Sequence, residues 1–436
     1  MRRDPRSPQP GGPQSAIFVA SAFAIVLAAS PYVLVLWDKG IRGYFGETLA
    51  LPADIGLVAL LVVASPMALS SIRARRLGPG AWGWLAVAAA LALAFPWNPS
   101  GRGVLTVFHL LGAAALAGAV AGLMRSRSRR SLAAVICAVG GLESALSVAQ
   151  VAFGRVIGLS HPKVSQLVEV SFNLFRFGSR LAPYGTFPHP YVLAAFSAVV
   201  SMVAATMALD RNEPRPAAWA LAGAIGAVPL GLTFSRTALL GLVLAGLCLV
   251  WGVVRALDRR RLGAVIAMLA IGAGVPAASS LGGWQQRAAL TVSTTDRTEG
   301  RTTKAKQALT LLSDNPLTGV GPGRYVFALE RRYRLTVAQQ SDDQAVHNLP
   351  LLAGAEGGVL ALLAMTAALV WLGWRALRSG PLALAVYTSF LPFCLLDQLA
   401  YESVQGVVIC AVWLGLVDAL VMNVSSSCRE APASGH

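Results

Sequence analysis

An all-α polytopic membrane protein of about twelve spanning helices, with a large, partly helical extracytoplasmic loop between spans nine and ten, is the fold class this sequence predicts. Three observations carry it. Charged residues make up 13% of the 436 positions and hydrophobic ones 55%, whereas a soluble domain carries about 25% charged residues. Apolar runs of about 20 residues, enough to cross a bilayer core as a helix, recur along the whole chain. Arginine clusters fall in every second connection between runs.

The runs read as 16–36, 52–71, 81–96, 104–124, 132–153, 190–209, 217–234, 237–254, 262–279, 349–374, 381–396 and 404–422. Arg2, Arg3 and Arg6 precede the first. Arg73, Arg75 and Arg76 follow the second, and Arg125, Arg127, Arg129 and Arg130 the fourth. Arg211 and Arg215 follow the sixth, Arg255, Arg259, Arg260 and Arg261 the eighth, and Arg375 and Arg378 the tenth. Twelve spans put every cluster on one side, which is cytoplasmic by the positive-inside rule, together with both termini. Residues 1–15, polar and rich in Pro and Gly, are expected to be a disordered cytoplasmic segment. The run after them is too long for a signal-peptide core. The expected organisation is therefore 1–15 as N-terminal segment and 16–279 as helices one to nine. Then come an outer loop at 280–348, helices ten to twelve at 349–422, and a cytoplasmic tail at 423–436.

A net charge of +16 raises the question of nucleic acid. Its placement in short inter-helical connections is explained by membrane orientation, so the lipid bilayer and no nucleic acid is the expected partner. Cys137, Cys248, Cys394, Cys410 and Cys428 show no metal-ligand spacing, and neither zinc nor a disulfide framework is expected.

The 280–348 loop departs from the charge rule. It holds nine basic residues, Arg287, Arg297, Arg301, Lys304, Lys306, Arg324, Arg331, Arg332 and Arg334. Long loops translocate regardless of charge, so a solvated surface is one reading; an anion site is the other, because the planar Arg guanidinium matches phosphate. Residues 300–313 (GRTTKAKQALTLLS) read as an amphipathic helix and 325–335 as a second. Between them DNPLTGVGPGRY, with glycines at 319, 321 and 323, marks a tight turn. Glycine-rich backbone of this kind either turns the chain or lets its amides approach a phosphate.

Four segments carry candidate chemistry. His347, in VHNLPLLAGAEGG, stands just before the tenth run, at the outer membrane surface. It is placed either as a general base or as an interfacial histidine bonded to backbone. Ser235 and Arg236 sit between two apolar runs with almost no loop, so Arg236 caps a tight hairpin, snorkelling into water or facing an anion. His189, in GTFPHP, lies between two prolines at the outer entry of the sixth run, where a shaped turn is the alternative to a binding role. Asp54, Glu143, Glu356, Asp397 and Glu402 lie within or beside spans. Glu356, roughly 13 Å deeper than His347 along a helix, needs a partner or a proton.

With these segments in order, the chain resembles the O-antigen ligase and polymerase superfamily of bacterial membrane glycosyltransferases. The resemblance covers residues 180–375 and rests on GTFPHP (185–190), SRTALLGL (235–242), NPLTGVGPGRY (315–325) and His347-Asn348. The ligases carry nine residues after His-Asn and then Gly, the position of Gly358, and a small residue four further on, where this chain has Leu362. The resemblance implies a helical fold of the GT-C type in the bacterial cytoplasmic (inner) membrane. It implies a glycan donor linked to undecaprenyl diphosphate and an extracytoplasmic reaction without nucleotide sugar, metal or other cofactor. The acceptor it implies is lipid A–core for a ligase, or another glycan for a polymerase. Carried over by motif, Arg236 and Arg301, with Arg297 as the next choice, grip the diphosphate, and His347 acts as base or orients the acceptor. Asn348, Asp397, His189 and Arg324 are the remaining groups expected at the substrate. A lipid-linked glycan transporter and a non-catalytic assembly partner are the readings outside this class.

Overall fold

The structure is a computed structural model that describes residues 34–37, 48–50, 77–154, 157, 176–177, 180–187, 189–254, 258–293, 295–333, 345–402 and 404–427. Ten of the apolar runs are helices close to their expected bounds. They are α1 (Pro79–Ala94), α2 (Gly101–Met124), α3 (Arg129–Phe153), α4 (Pro190–Leu209), α5 (Pro216–Leu232), α6 (Arg236–Val254) and α7 (Arg259–Ser279) before the 280–348 loop. After it come α11 (Leu349–Ser379), α12 (Pro381–Leu396), a short α13 (Leu399–Glu402) and α14 (Val404–Ser427). The loop itself carries α8 (Leu281–Ser293), α9 (Thr295–Asp314) and α10 (Tyr325–Tyr333), of which α8 was not expected.

Seven helices among the described residues, α1, α2, α3, α4, α7, α11 and α14, are long and apolar enough to cross a membrane. α5, α12 and the Arg236–Gly252 part of α6 are apolar but shorter. The run at 52–71 and most of that at 16–36 lie outside the described residues, as does most of the connection 154–189 between the fifth and sixth runs. The end of the 16–36 run is a correction. β1 (Leu34–Trp37) pairs antiparallel with β2 (Thr48–Ala50), so the chain there is extended and not helical. Val and Trp favour strands. A second small ribbon joins β3 (Arg176–Phe177) to β4 (Arg180–Leu181).

α4 and α14 form the centre of the bundle, each about 94% buried over its apolar window. Small residues let the helices approach. A Cβ on Gly272 would stand 2.1 Å from the Ala224 carbonyl oxygen, and one on Gly241 would stand 2.2 Å from that of Ser389. Within a bilayer such close packing replaces the hydrophobic drive as the source of association.

The described basic clusters converge at one end of the bundle. Arg129 pairs with Asp210 at 2.5 Å and Arg130 with Glu213 at 2.9 Å. Arg261 donates to the Asp210 carbonyl at 2.6 Å. Asp418, fully buried in α14, accepts from the Gly80 and Ala81 amides at 2.7 and 3.1 Å and so caps α1 from across the fold. Arg125 and Arg375 act on the same carboxylate.

At the opposite end two buried side chains latch loops onto helices. Glu143 accepts from the Thr186 amide at 3.0 Å and its hydroxyl at 2.6 Å. Gln150 accepts from the Tyr184 and Gly185 amides and donates to the Gly185 carbonyl. The GTFPHP turn is thereby fixed to α3.

The second latch is built on a break in α11. Gly358 has φ +74°, a backbone region that favours glycine. A Cβ there would stand 2.3 Å from the Leu317 carbonyl oxygen. The turn before α10 fills the break: Val320 N–H donates to Ala355 O, Gly321 N–H to Glu356 O, and Val359 N–H to Pro316 O. The polar groups freed by the kink are met by the turn, as a membrane-depth break requires.

Candidate active site

His347 stands at the start of α11, inside a three-residue turn closed by the Asn348 amide on the Val346 carbonyl at 2.8 Å. Asn348 is the N-cap. Its Oδ1 accepts from Leu351 N–H at 2.9 Å, and its Nδ2 donates to Leu395 O at 3.0 Å. The first contact starts the helix and the second ties it to the end of α12. Asp397, the next residue but one, thus comes to lie beside His347, with Oδ1 4.0 Å from Nδ1.

The third wall is α9. Ala308 and Leu311 are buried on its inner face, where it packs on α11. Lys304 and Arg301, at helical spacing before them, continue along that side. Both cations act electrostatically on His347, and Arg301 acts on Asp397 as well. The Tyr325 hydroxyl donates to the Lys304 carbonyl at 3.3 Å and braces the helix against α10.

The environment sets the protonation states. Burial pushes the His347 imidazole down to about 4, with Lys304 and then Arg301 adding to the effect and the facing Gln398 opposing it. Burial pushes the Asp397 carboxyl up to about 7, against the Gln398 and Leu399 amides and Arg301, which lower it. At neutral pH the site holds a neutral imidazole, a carboxyl near its midpoint and two cations. That set can take a proton from a hydroxyl and hold an anion.

The remaining expected residues are placed as follows. Arg236 is exposed at the first position of α6, at the tip of the hairpin with α5. Only Thr233, Phe234 and Ser235 join these helices, and Phe234 turns the chain with φ +54°, rare for a bulky residue. The Phe234 ring is buried edge-on to Trp284, which donates to Gly231 O at 2.9 Å, so α8 clamps the hairpin. Arg297 lies on α9 one turn before Arg301. Arg324 sits on the turn before α10, with Nη1 3.5 Å from Asn98 Oδ1 and not among the groups around His347. His189 is the N-cap of α4: its Nδ1 accepts from Tyr191 N–H at 3.2 Å, and its ring packs at a tilt on the Tyr191 ring, centroids 3.9 Å apart.

The phosphate reading of the glycine turn is corrected. Its amides are already engaged: Gly323 and Tyr325 donate to the Glu356 carboxylate at 2.8 and 3.1 Å. Glu356 finds its partners there and in the Tyr401 hydroxyl, at 2.6 Å. Three residues escaped the sequence reading of the site. Lys304 was legible from its spacing to Arg301. Gln398 and Tyr401 gave no signal, because their roles come from contacts between distant segments.

Residues 221–366 match the family model described as O-Antigen ligase. The matched segment takes in Arg236, Arg301, Lys304, His347, Asn348 and Glu356, and it supports membership of the O-antigen ligase superfamily. No curated protein matches the chain.

Proposed function

We propose that this O-antigen ligase superfamily member transfers a glycan from undecaprenyl diphosphate to an acceptor hydroxyl at the outer face of the bacterial cytoplasmic membrane. The observation that carries the reading is the meeting of His347, Asp397, Arg301 and Lys304 at the entry of a candidate span. Both termini are assigned to the cytoplasm, on the end where the arginine clusters gather.

The acceptor oxygen attacks the anomeric carbon as the bond to the diphosphate oxygen breaks, and the electron pair leaves with the diphosphate. The hydroxyl proton passes to neutral His347, and Asp397 as carboxylate stabilises the imidazolium. Arg301 and Lys304, joined by Arg236 and Arg297, offset the charge that grows on the leaving group. Attack opposite the leaving group inverts the anomeric centre. One consequence follows from the signs. The cations depress the His347 pKa, so a bound diphosphate that offsets them raises it, and the base strengthens as the donor arrives.

The test is reconstitution in lipid with an undecaprenyl-diphosphate oligosaccharide, with and without lipid A–core, beside His347→Ala. Transfer to the core that the variant loses supports a ligase. A product ladder without the core makes the chain a repeat-unit polymerase with the same site. Full transfer by a folded His347→Ala protein rejects His347 as the base.

A further inference from the structure

Two buried acceptors, one of them on the proposed base, find no donor among the described residues. His347 Nδ1 and Gln398 Oε1 are both buried without a hydrogen-bond partner among the described residues. Gln398 is only 4% exposed. Its backbone is held by the fold, with the amide on Asp397 Oδ1 at 2.8 Å and the carbonyl accepting from Tyr401 N–H at 3.0 Å. The side chain takes no part in that. It lies close enough to raise the imidazole pKa as a hydrogen-bond acceptor does, yet neither Nδ1 nor Oε1 reaches hydrogen-bond geometry with a partner among the described residues.

Buried polar atoms are nearly always satisfied, and an unmet pair side by side marks a place where a polar guest completes the set. The chemistry of the guest follows from the atoms. Two acceptors call for hydroxyl hydrogens and disfavour a phosphate oxygen. The anionic end of the donor belongs with Arg301 and Lys304 on α9. The 4.0 Å between Nδ1 and Asp397 Oδ1 is too wide for a direct hydrogen bond. One hydroxyl fits at about 2.8 Å from Nδ1 and donates its single hydrogen there.

We propose that Gln398 is the acceptor-sugar subsite. The reacting hydroxyl donates to His347, and the Gln398 amide holds a neighbouring hydroxyl of the same ring. An amide side chain suits this task because its oxygen accepts and its nitrogen donates, so it reads a vicinal diol. The inference rests on His347 as the base and deepens that assignment.

The experiment compares Gln398→Leu, Gln398→Asn and His347→Ala in the reconstituted full-length protein. The donor is an undecaprenyl-diphosphate oligosaccharide, and the acceptor is whichever of lipid A–core or the oligosaccharide end the wild type uses. Gln398→Leu raises the acceptor KM about tenfold, the loss of one or two neutral hydrogen bonds. Its Kd for undecaprenyl diphosphate is unchanged. Its thermal midpoint is unchanged or higher, because leucine leaves no acceptor unmet. Gln398→Asn recovers part of the acceptor KM. A lower midpoint with an unchanged acceptor KM overturns the proposal and makes Gln398 structural. Equal weakening of acceptor and undecaprenyl diphosphate overturns it too. An inactive His347→Ala beside an unaltered Gln398→Leu acceptor KM rejects the subsite alone, whereas a fully active His347→Ala rejects the base assignment and the subsite with it.

Discussion

Tyr401 donates its hydroxyl hydrogen to Glu356 at 2.6 Å, joining the loop after α12 to the break in α11. The same carboxylate receives the Gly323 and Tyr325 amides. Removing it strands two buried donors, at about 1–3 kcal/mol each, and the part-buried Gly323 amide. Glu356→Ala is therefore expected to lose about 3 kcal/mol or more. Tyr401→Phe, which deletes one donor and leaves the two amide bonds, loses about 1 kcal/mol. Thermal unfolding in detergent orders the variants, and the double variant is less than additive because both changes remove one bond. Two neutral single variants would dismiss the latch as a stability element.

Asn348 does two jobs with one side chain, capping α11 and tying it to Leu395. Asn348→Asp keeps the acceptor for Leu351 N–H and drops the donation to Leu395 O. Its stability is expected close to wild type while its turnover falls, because the tie aims His347. Asn348→Ala loses the cap as well, costing about 1 kcal/mol further. Steady-state kinetics beside melting curves separate the two effects. Equal turnover in Asn348→Asp and wild type would leave the Leu395 tie without a role in aiming the base.

The pH dependence of stability has opposed contributions. Asp397 rises from its ordinary 3.8 to about 7 on folding. The folded state holds that proton more tightly, so this contribution is full at low pH and is lost as pH rises through about 7. His347 falls from 6.5 to about 4. Its contribution is full above 6.5 and is lost as pH falls through that range toward about 4. Between about 4 and 6.5 the two slopes oppose each other. The wild-type melting temperature is expected to be nearly flat there. His347→Ala loses stability as pH rises, and Asp397→Asn loses it as pH falls. Melting curves across this window decide it; parallel profiles in all three proteins would show that neither group titrates as its surroundings dictate.

The ten helices that fill apolar runs were legible because a bilayer allows only long apolar runs, and charge between them marks the ends. His347, Asn348 and Asp397 were legible as polar groups at the mouths of such runs, and Arg301 as a basic residue of the loop helix singled out by the resemblance. The latches were not. Glu143 and Glu356 were visible as acids in apolar surroundings, but their partners are backbone amides, which no side-chain pattern announces. Asp418 lies in an equally apolar run and was passed over, although a lone intramembrane acid is itself a signal. Its cap on α1 spans most of the chain and has no local trace. His189 shows the converse: flanking prolines marked a shaped turn, and the structure uses the imidazole to cap the helix that follows.

Arg301 bears on both members of the proposed proton-transfer pair, lowering His347 and Asp397 together. If the reaction needs a neutral imidazole and an ionised carboxyl, its rate falls on the acid side as either group protonates. Removing the guanidinium raises both pKa values, so the acid limb of kcat/KM moves to higher pH. Arg301→Gln is thus expected to lose about 10²–10³ in kcat/KM, the scale of one charge-stabilising donor, and to shift that limb upward. Arg301→Lys keeps the charge and returns the limb toward its original position. It recovers only part of the rate, because an ammonium cannot offer two parallel donors to a phosphate. A limb that stays in place in a folded Arg301→Gln protein would separate Arg301 from the His347–Asp397 pair and leave Lys304 as the cation that sets their basicity.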